Sequence, residues 1–135
     1  MSNPANELLV RTFLGGMGPT FEAFVKTYDE MFHEDVVWES VGGTPHIGRK
    51  VCVEHLHELH AAMGMEYCTI DILNIASAGD VVLTERVDRM HRADGTLMFD
   101  FAFRIMGTFV IQDDKIIRYT DYYDSLGFGK VAGRG

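Results

Sequence analysis

Val82-Leu83-Thr84-Glu85-Arg86-Val87-Asp88-Arg89-Met90 is the stretch on which the fold turns. It lies inside a run, Val81 to His91, that reads as a β-strand. Side chains alternate between the two faces of a strand. Thr84, Arg86, Asp88 and Met90 therefore share one face, and Leu83, Glu85, Val87 and Arg89 share the other. Neither face is clean. If Leu83 and Val87 faced the core, Glu85 would be buried with them. If Arg86 and Asp88 faced it, a charged pair would be buried, which is expensive unless the charges are paired and hydrogen-bonded. The pattern alone favours a solvated ladder of opposite charges, because surface pairs are common.

The sequence on either side supplies the rest of a sheet. Tyr67 to Ile75 reads as a strand, followed by a turn at Ser77-Ala78-Gly79-Asp80. After the Val81–His91 strand comes a turn at Ala93-Asp94-Gly95, then a long apolar strand from Leu97 to Gln112, then Asp113-Asp114-Lys115 and a last strand, Ile116 to Asp124. Hairpin-length connections predict antiparallel pairing. A strand as long as Leu97–Gln112 must bend, so the sheet is expected to curl.

Before Gly64 the period changes to that of helices. Asn6 to Leu14 is a short one, broken by Gly15-Gly16 and Gly18-Pro19. Thr20 caps a second, with Ala23, Phe24, Tyr28, Met31 and Phe32 at helical spacing. Val36 to Val41 is β-branched and aromatic and reads as a strand, ended by Gly42-Gly43-Thr44-Pro45. Arg49 to Met63 is a third helix, stopped by Gly64. Helices first and a meander after them predict an α+β fold, with about three N-terminal helices covering one face of the sheet and a pocket between the layers.

The 135 residues suit one domain, 1–135, with a Gly-rich tail from about residue 127. At 47% hydrophobic, the chain can bury a core without a disulfide or metal. The first apolar stretch, Leu8-Leu9-Val10, meets Arg11 at once, so it is neither a signal h-region nor a membrane span. Cys52 and Cys68 lack a Cys-x-x-Cys pattern and read as core residues of a cytoplasmic protein. A net charge of −8 with 12 scattered Lys and Arg argues against nucleic acid and against an anionic membrane surface as partners. The 8 Met, 9 Phe and 5 Tyr suit either a soft core or an apolar ligand cavity.

Tyr119, Asp121 and Tyr123 share a face of the last strand, so Asp121 is either a buried carboxylate or the polar member of a surface patch. Glu85-Arg86-Val87-Asp88, followed in the last strand by Asp121-Tyr122-Tyr123-Asp124, resembles the limonene-epoxide hydrolase branch of the nuclear-transport-factor-2-like fold. The similarity extends through Phe32-His33-Glu34-Asp35, Gly48-Arg49, Met65 and Gly107-Thr108-Phe109, covering about residues 6–126.

That resemblance implies a cone-shaped fold with a curved, mixed and mostly antiparallel sheet, a deep apolar pocket, and a homodimer formed through the sheet. It implies an Asp–Arg–Asp triad that opens epoxides in one step. Asp88 would be the protonated general acid, Asp121 the general base that deprotonates water, and Arg86 the bridge between them. The chemistry asks for such a set: the alkoxide of an opened epoxide is a poor leaving group without a proton, and water near neutral pH is a poor nucleophile without a base. One carboxyl must be neutral while the other is ionised, and burial with mutual repulsion can divide a pair that way. No cofactor and no metal is required.

The family places a Tyr and an Asn on the first strand to hold the attacking water. By spacing those positions are Trp38 and Ser40 here, a departure, since Trp donates one N–H and accepts nothing. The resemblance and strand parity together put Met65, Tyr67, Met90, Phe103 and Ile105 in the pocket wall, facing a small lipophilic substrate. An isomerase or cyclase using the same carboxylates, or a non-catalytic binding module, would fit the same fold. His55, His57 and His60 lie on the third helix; His57 and His60 have a spacing that could share a metal, but without the His-Glu-x-x-His pattern they read as helix-surface histidines. Gly127-Phe128-Gly129-Lys130 lacks a phosphate-loop pattern and reads as a frayed tail.

Overall fold

The computed structural model describes residues 1–124; the Gly127–Lys130 stretch lies outside them. Helix α1 (Pro4–Gly15) starts where the Asn3 side chain accepts from the amide of Asn6 at 3.1 Å, with Pro4 in the first turn, where no amide is needed. Helix α2 (Phe21–Met31) is capped by Thr20, whose hydroxyl accepts from Ala23 N at 3.1 Å. Helix α3 (Arg49–Met63) ends at Gly64, which takes φ 74°, a left-handed conformation that a side chain would strain. Among the described residues no helix is long and apolar enough to cross a membrane.

The strands are β1 (Phe32–Ser40), β2 (His46–Ile47), β3 (Tyr67–Ala78), β4 (Val81–His91), β5 (Phe103–Gln112) and β6 (Lys115–Tyr122), in the spatial order β2-β1-β6-β5-β4-β3. All neighbours are antiparallel except β1 and β6, which run parallel. The protein is thus α+β, with one curved, unclosed, mostly antiparallel sheet and three helices, as the pattern predicts. Register shifts at Ile72/Asn74 on β3 and at Val110/Ile111 on β5 bend the ladder. The β5–β6 shift also lets Ile116 and Tyr119 both point inward, although simple alternation gives them opposite faces.

Three strands depart from the sequence reading, β3 among them, since it runs on to Ala78 and takes in Ser77 and Ala78 of the expected turn. Strand β1 begins at Phe32, directly at the end of α2, and the two-residue β2 pairs with it. Strand β5 begins at Phe103 rather than Leu97. Leu97 still bridges His91 and Met98 N donates to the Met90 carbonyl at 3.0 Å, so the ladder is interrupted only beyond Met98, where Phe99, Phe101 and Phe103 pack on one another with centroids 4.7–5.7 Å apart.

The core lies between the helices and the concave face. Phe13 of α1 is its hub, with ring centroids of Tyr28, Phe32, Phe109 and Tyr119 at 5.1, 5.3, 6.0 and 5.4 Å. Strands β4, β5 and β6 therefore present their inward residues to helices at one end and to open space at the other.

Candidate active site

The inward face of β4 is the one that carries Thr84, Arg86 and Asp88, and all three are buried. The ladder of opposite charges exists too, on the outer face, where Arg89 pairs with Asp71 at 2.7 Å and Arg104 approaches Glu85 at 3.9 Å. Arg86 is fully buried, with 0% exposure. A guanidinium has five N–H donors, and every one of them is used. Nε donates to Asp88 Oδ1 at 3.2 Å, and Nη2 donates to Asp88 Oδ2 and Asp121 Oδ2, both at 2.9 Å. Nη1 donates to Asp121 Oδ1 at 3.0 Å and to Thr84 Oγ1 at 3.2 Å. Thr84 passes its own proton to the Gly107 carbonyl at 3.2 Å.

The arrangement spans three strands. Gly107 of β5 is in register with Thr84 on one side and Asp121 on the other. A Cβ at Gly107 would lie 2.2 Å from Arg86 Nη1 and 2.6 Å from Asp121 Oδ1. Only a residue without a side chain lets the guanidinium cross β5. Beneath it lie the rings of Tyr119 and Phe109, with centroids 5.8 and 5.9 Å from Arg86 Cζ.

Burial pushes the Asp121 carboxyl above the ordinary carboxylate range; the charge and hydrogen bonds of Arg86 pull it back, Asp88 pushes it further up, and a hydrogen bond with Tyr119 lowers it. Burial works against the charge on Arg86, but Tyr119, Asp121 and the hydrogen bonds to both carboxylates outweigh it, so the guanidinium stays charged. Two ionised carboxylates around one cation would leave a net negative charge in a dry site. One shared proton neutralises it, and the pair is then described by a joint titration.

Asp88 and Asp121 look into a cavity of about 350 Å³, within the range of small-molecule sites. Arg86 stands behind them, out of its wall. Met65, Met90, Phe103 and Ile105 line the cavity, as do Trp38 and Ser40. Ser40 pairs with Asp121 across β1 and β6, and Trp38 pairs with Tyr119, on which its indole stacks at 6.2 Å with 7° between planes.

Tyr67 does not join them. Its ring stacks on His91 at 4.5 Å, and Cys68 holds the place in the wall. Strand β3 starts only at Tyr67, so the alternation cannot be carried across from Met65. Burial raises the Cys68 thiol to about 12, the behaviour of an inert core cysteine. Among the described residues no group of three or more His, Cys, Asp or Glu is placed to hold a metal. His60 stacks on Phe21 at 4.0 Å with Nδ1 2.8 Å from the Met65 carbonyl, and His57 meets the edge of the same ring.

The sequence reading did not single out Gly107 or Thr84 as site residues, nor Tyr28, His46 and His55 as wall residues. A strand glycine opposite two polar side chains is the signal that could have found Gly107.

The family model for the limonene-1,2-epoxide hydrolase catalytic domain matches residues 4–134. The chain is 30% identical over 109 residues to Epoxide hydrolase EphG of Mycobacterium tuberculosis (strain ATCC 25618 / H37Rv), a match spanning 81% of this chain and 68% of that relative. It is similar to the solved structure of an M. tuberculosis LEH-like epoxide hydrolase, with a TM-score of 0.76 and 25% identity over 98% of this chain and 92% of the other. A protein with a ketosteroid isomerase-like fold from Catenulispora acidiphila DSM 44928 shares the fold, with a TM-score of 0.70 and 20% identity over 93% and 92% of the two chains.

Proposed function

The chain belongs to the limonene-1,2-epoxide hydrolase family of hydrolases, and we propose that it adds water to a lipophilic epoxide in a single step through Asp88, Arg86 and Asp121. The observation that carries this reading is the division of four of the five Arg86 donors between two carboxylates at the wall of an apolar cavity. Asp88, protonated, donates to the epoxide oxygen as the C–O bond breaks. Asp121, ionised, takes a proton from the water whose oxygen forms the new C–O bond. The product is a diol, and the proton gained by Asp121 returns to Asp88 before the next cycle.

The division of roles has a physical basis. Both carboxylates receive two hydrogen bonds from Arg86; on Asp121 burial is the largest influence and raises its pKa, Arg86 pulls it back toward the ionised form, and Tyr119 adds a smaller pull the same way. Burial raises the proton affinity of Asp121, which strengthens it as a base while it remains ionised. Ser40, beside Asp121 in the sheet, and Tyr28, a wall residue whose hydroxyl makes no hydrogen bond among the described residues, are the groups we assign to hold the water. Trp38 shapes the floor of the cavity through its stacking on Tyr119.

The test is a single turnover in ¹⁸O-labelled water. Direct attack puts the label into the diol in that first turnover; an ester route would deliver unlabelled carboxylate oxygen instead. A product of unchanged mass would mark an isomerase or cyclase. Asp88→Asn and Asp121→Asn should each abolish turnover in a folded protein, and full activity in either would remove the assignment.

We also propose a homodimer formed through the outer sheet face. Leu83, Met106 and Tyr122 point outward from three adjacent strands, and each is about half exposed.

A further inference from the structure

The cavity holds a second polar patch that the three-residue site leaves unused. His46 of β2 and His55 of α3 stack on each other, with ring centroids 3.8 Å apart and 22° between planes, and both line the cavity. Neither ring has a hydrogen bond among the described residues. His55 Nδ1 is buried without a partner, with Glu58 Oε2 at 3.5 Å as its nearest counter-charge. With Nδ1 turned into the protein, Nε2 is the His55 nitrogen left for a ligand. The backbone of His46 is pinned from beneath, where the Cys52 thiol donates to its carbonyl at 3.6 Å.

His46 lies two strands away from β6, the strand that carries Asp121. Tyr119, Trp38 and His46 are consecutive partners across β6, β1 and β2. Two strand spacings separate the first from the last, about 10 Å. Between them lies an aromatic floor, the Trp38 indole parallel to the Tyr119 ring.

We propose that His46 and His55 form a second substrate contact, which recognises a neutral oxygen function, a hydroxyl or carbonyl, on the part of the substrate that lies across the aromatic floor from the carboxylates. The substrate class is thus an oxygenated lipophilic epoxide and not a bare hydrocarbon one. This deepens the reading of the site as an epoxide hydrolase and rests on it. A neutral group is favoured over an anion on three grounds. Glu58 stands beside His55. The protein carries a net charge of −8. Burial, together with the neighbouring His55, holds His46 below its ordinary pKa and so resists a cationic pair.

The experiment uses epoxides of one carbon skeleton that end in a ketone, a hydroxyl or a methyl group. Wild-type protein should favour the oxygenated members about ten-fold in kcat/KM, the size of one net hydrogen bond, with the difference in KM. His46→Phe and His55→Phe, which keep a stacked ring and remove the nitrogens, should bring that ratio close to one. A wild-type ratio of one, or an unchanged ratio in both variants, would overturn the proposal. Binding is read separately from chemistry. Trp38 is the single tryptophan and touches both imidazoles, at 5.7 and 5.4 Å. Its fluorescence should report tighter binding of a saturated ketone than of the matching alkane. If no epoxide is turned over, the hydrolase reading fails, and this binding comparison still decides the pair: equal affinities refute it.

Discussion

At the scale of single residues, the proposed mechanism depends on Asp121 being ionised while Asp88 carries a proton. Asp121 must be ionised to act as a base, and burial places its pKa above the usual carboxylate value of about 3.9. Activity should therefore fall on the acid side at a pH above that value, as Asp121 takes up a second proton for the pair. It should fall again on the alkaline side, when the shared proton is lost. A bell-shaped kcat/KM profile is the expected result, and an acid limb at or below about pH 3.9 would contradict the burial argument. Stability runs the opposite way. A carboxyl whose folded pKa is raised contributes stability at low pH that is lost as pH rises through the folded value. How much of this was readable in advance varies by residue. Alternation along β4 grouped Thr84, Arg86 and Asp88 on one face, but periodicity is blind to which face is inside, because each face mixes charged and apolar groups. The family resemblance made that choice. Tyr67 matches a lining position of the family, but here its ring stacks on His91 and Cys68 holds the place in the wall.

At the scale of elements, the decisive feature is the open lane over β5. Gly107→Ala would drive a methyl group into Arg86 and Asp121. Overpacking of this kind destabilises by about 1–3 kcal/mol, and turnover should be lost because the carboxylates are displaced. A melting curve and an activity assay on the purified variant check both; a wild-type melting temperature with normal turnover would refute the steric argument. Gly15→Ala is the contrast, since nothing lies within 4 Å of its Cβ, and that helix position should gain about 0.5–1 kcal/mol. Element boundaries were legible where punctuation is local: α3 runs from Arg49 to the left-handed Gly64 and β4 from Val81 to His91, as read. The start of β5 was not, because Phe99, Phe101 and Phe103 pack on one another and interrupt the strand, and an apolar run gives the same pattern with or without that break.

At the scale of the whole molecule, the helices cover one face of the sheet, and the other exposes Leu83, Met106 and Tyr122. Met106→Glu on the outer face should convert the proposed dimer to a monomer, as read by sedimentation; a wild-type protein that sediments as a monomer would refute it. The class of fold was legible from the order of helical and strand periods. The parallel β1–β6 pairing was not read from the pattern, since it joins segments far apart in the chain. Because a single guanidinium fastens β4 to β6 across β5, the reactive centre has no local hinge along which to loosen. Heat should inactivate the protein in the same cooperative step that melts its sheet, so that neither a dead but folded state nor a half-melted working one is populated along the way.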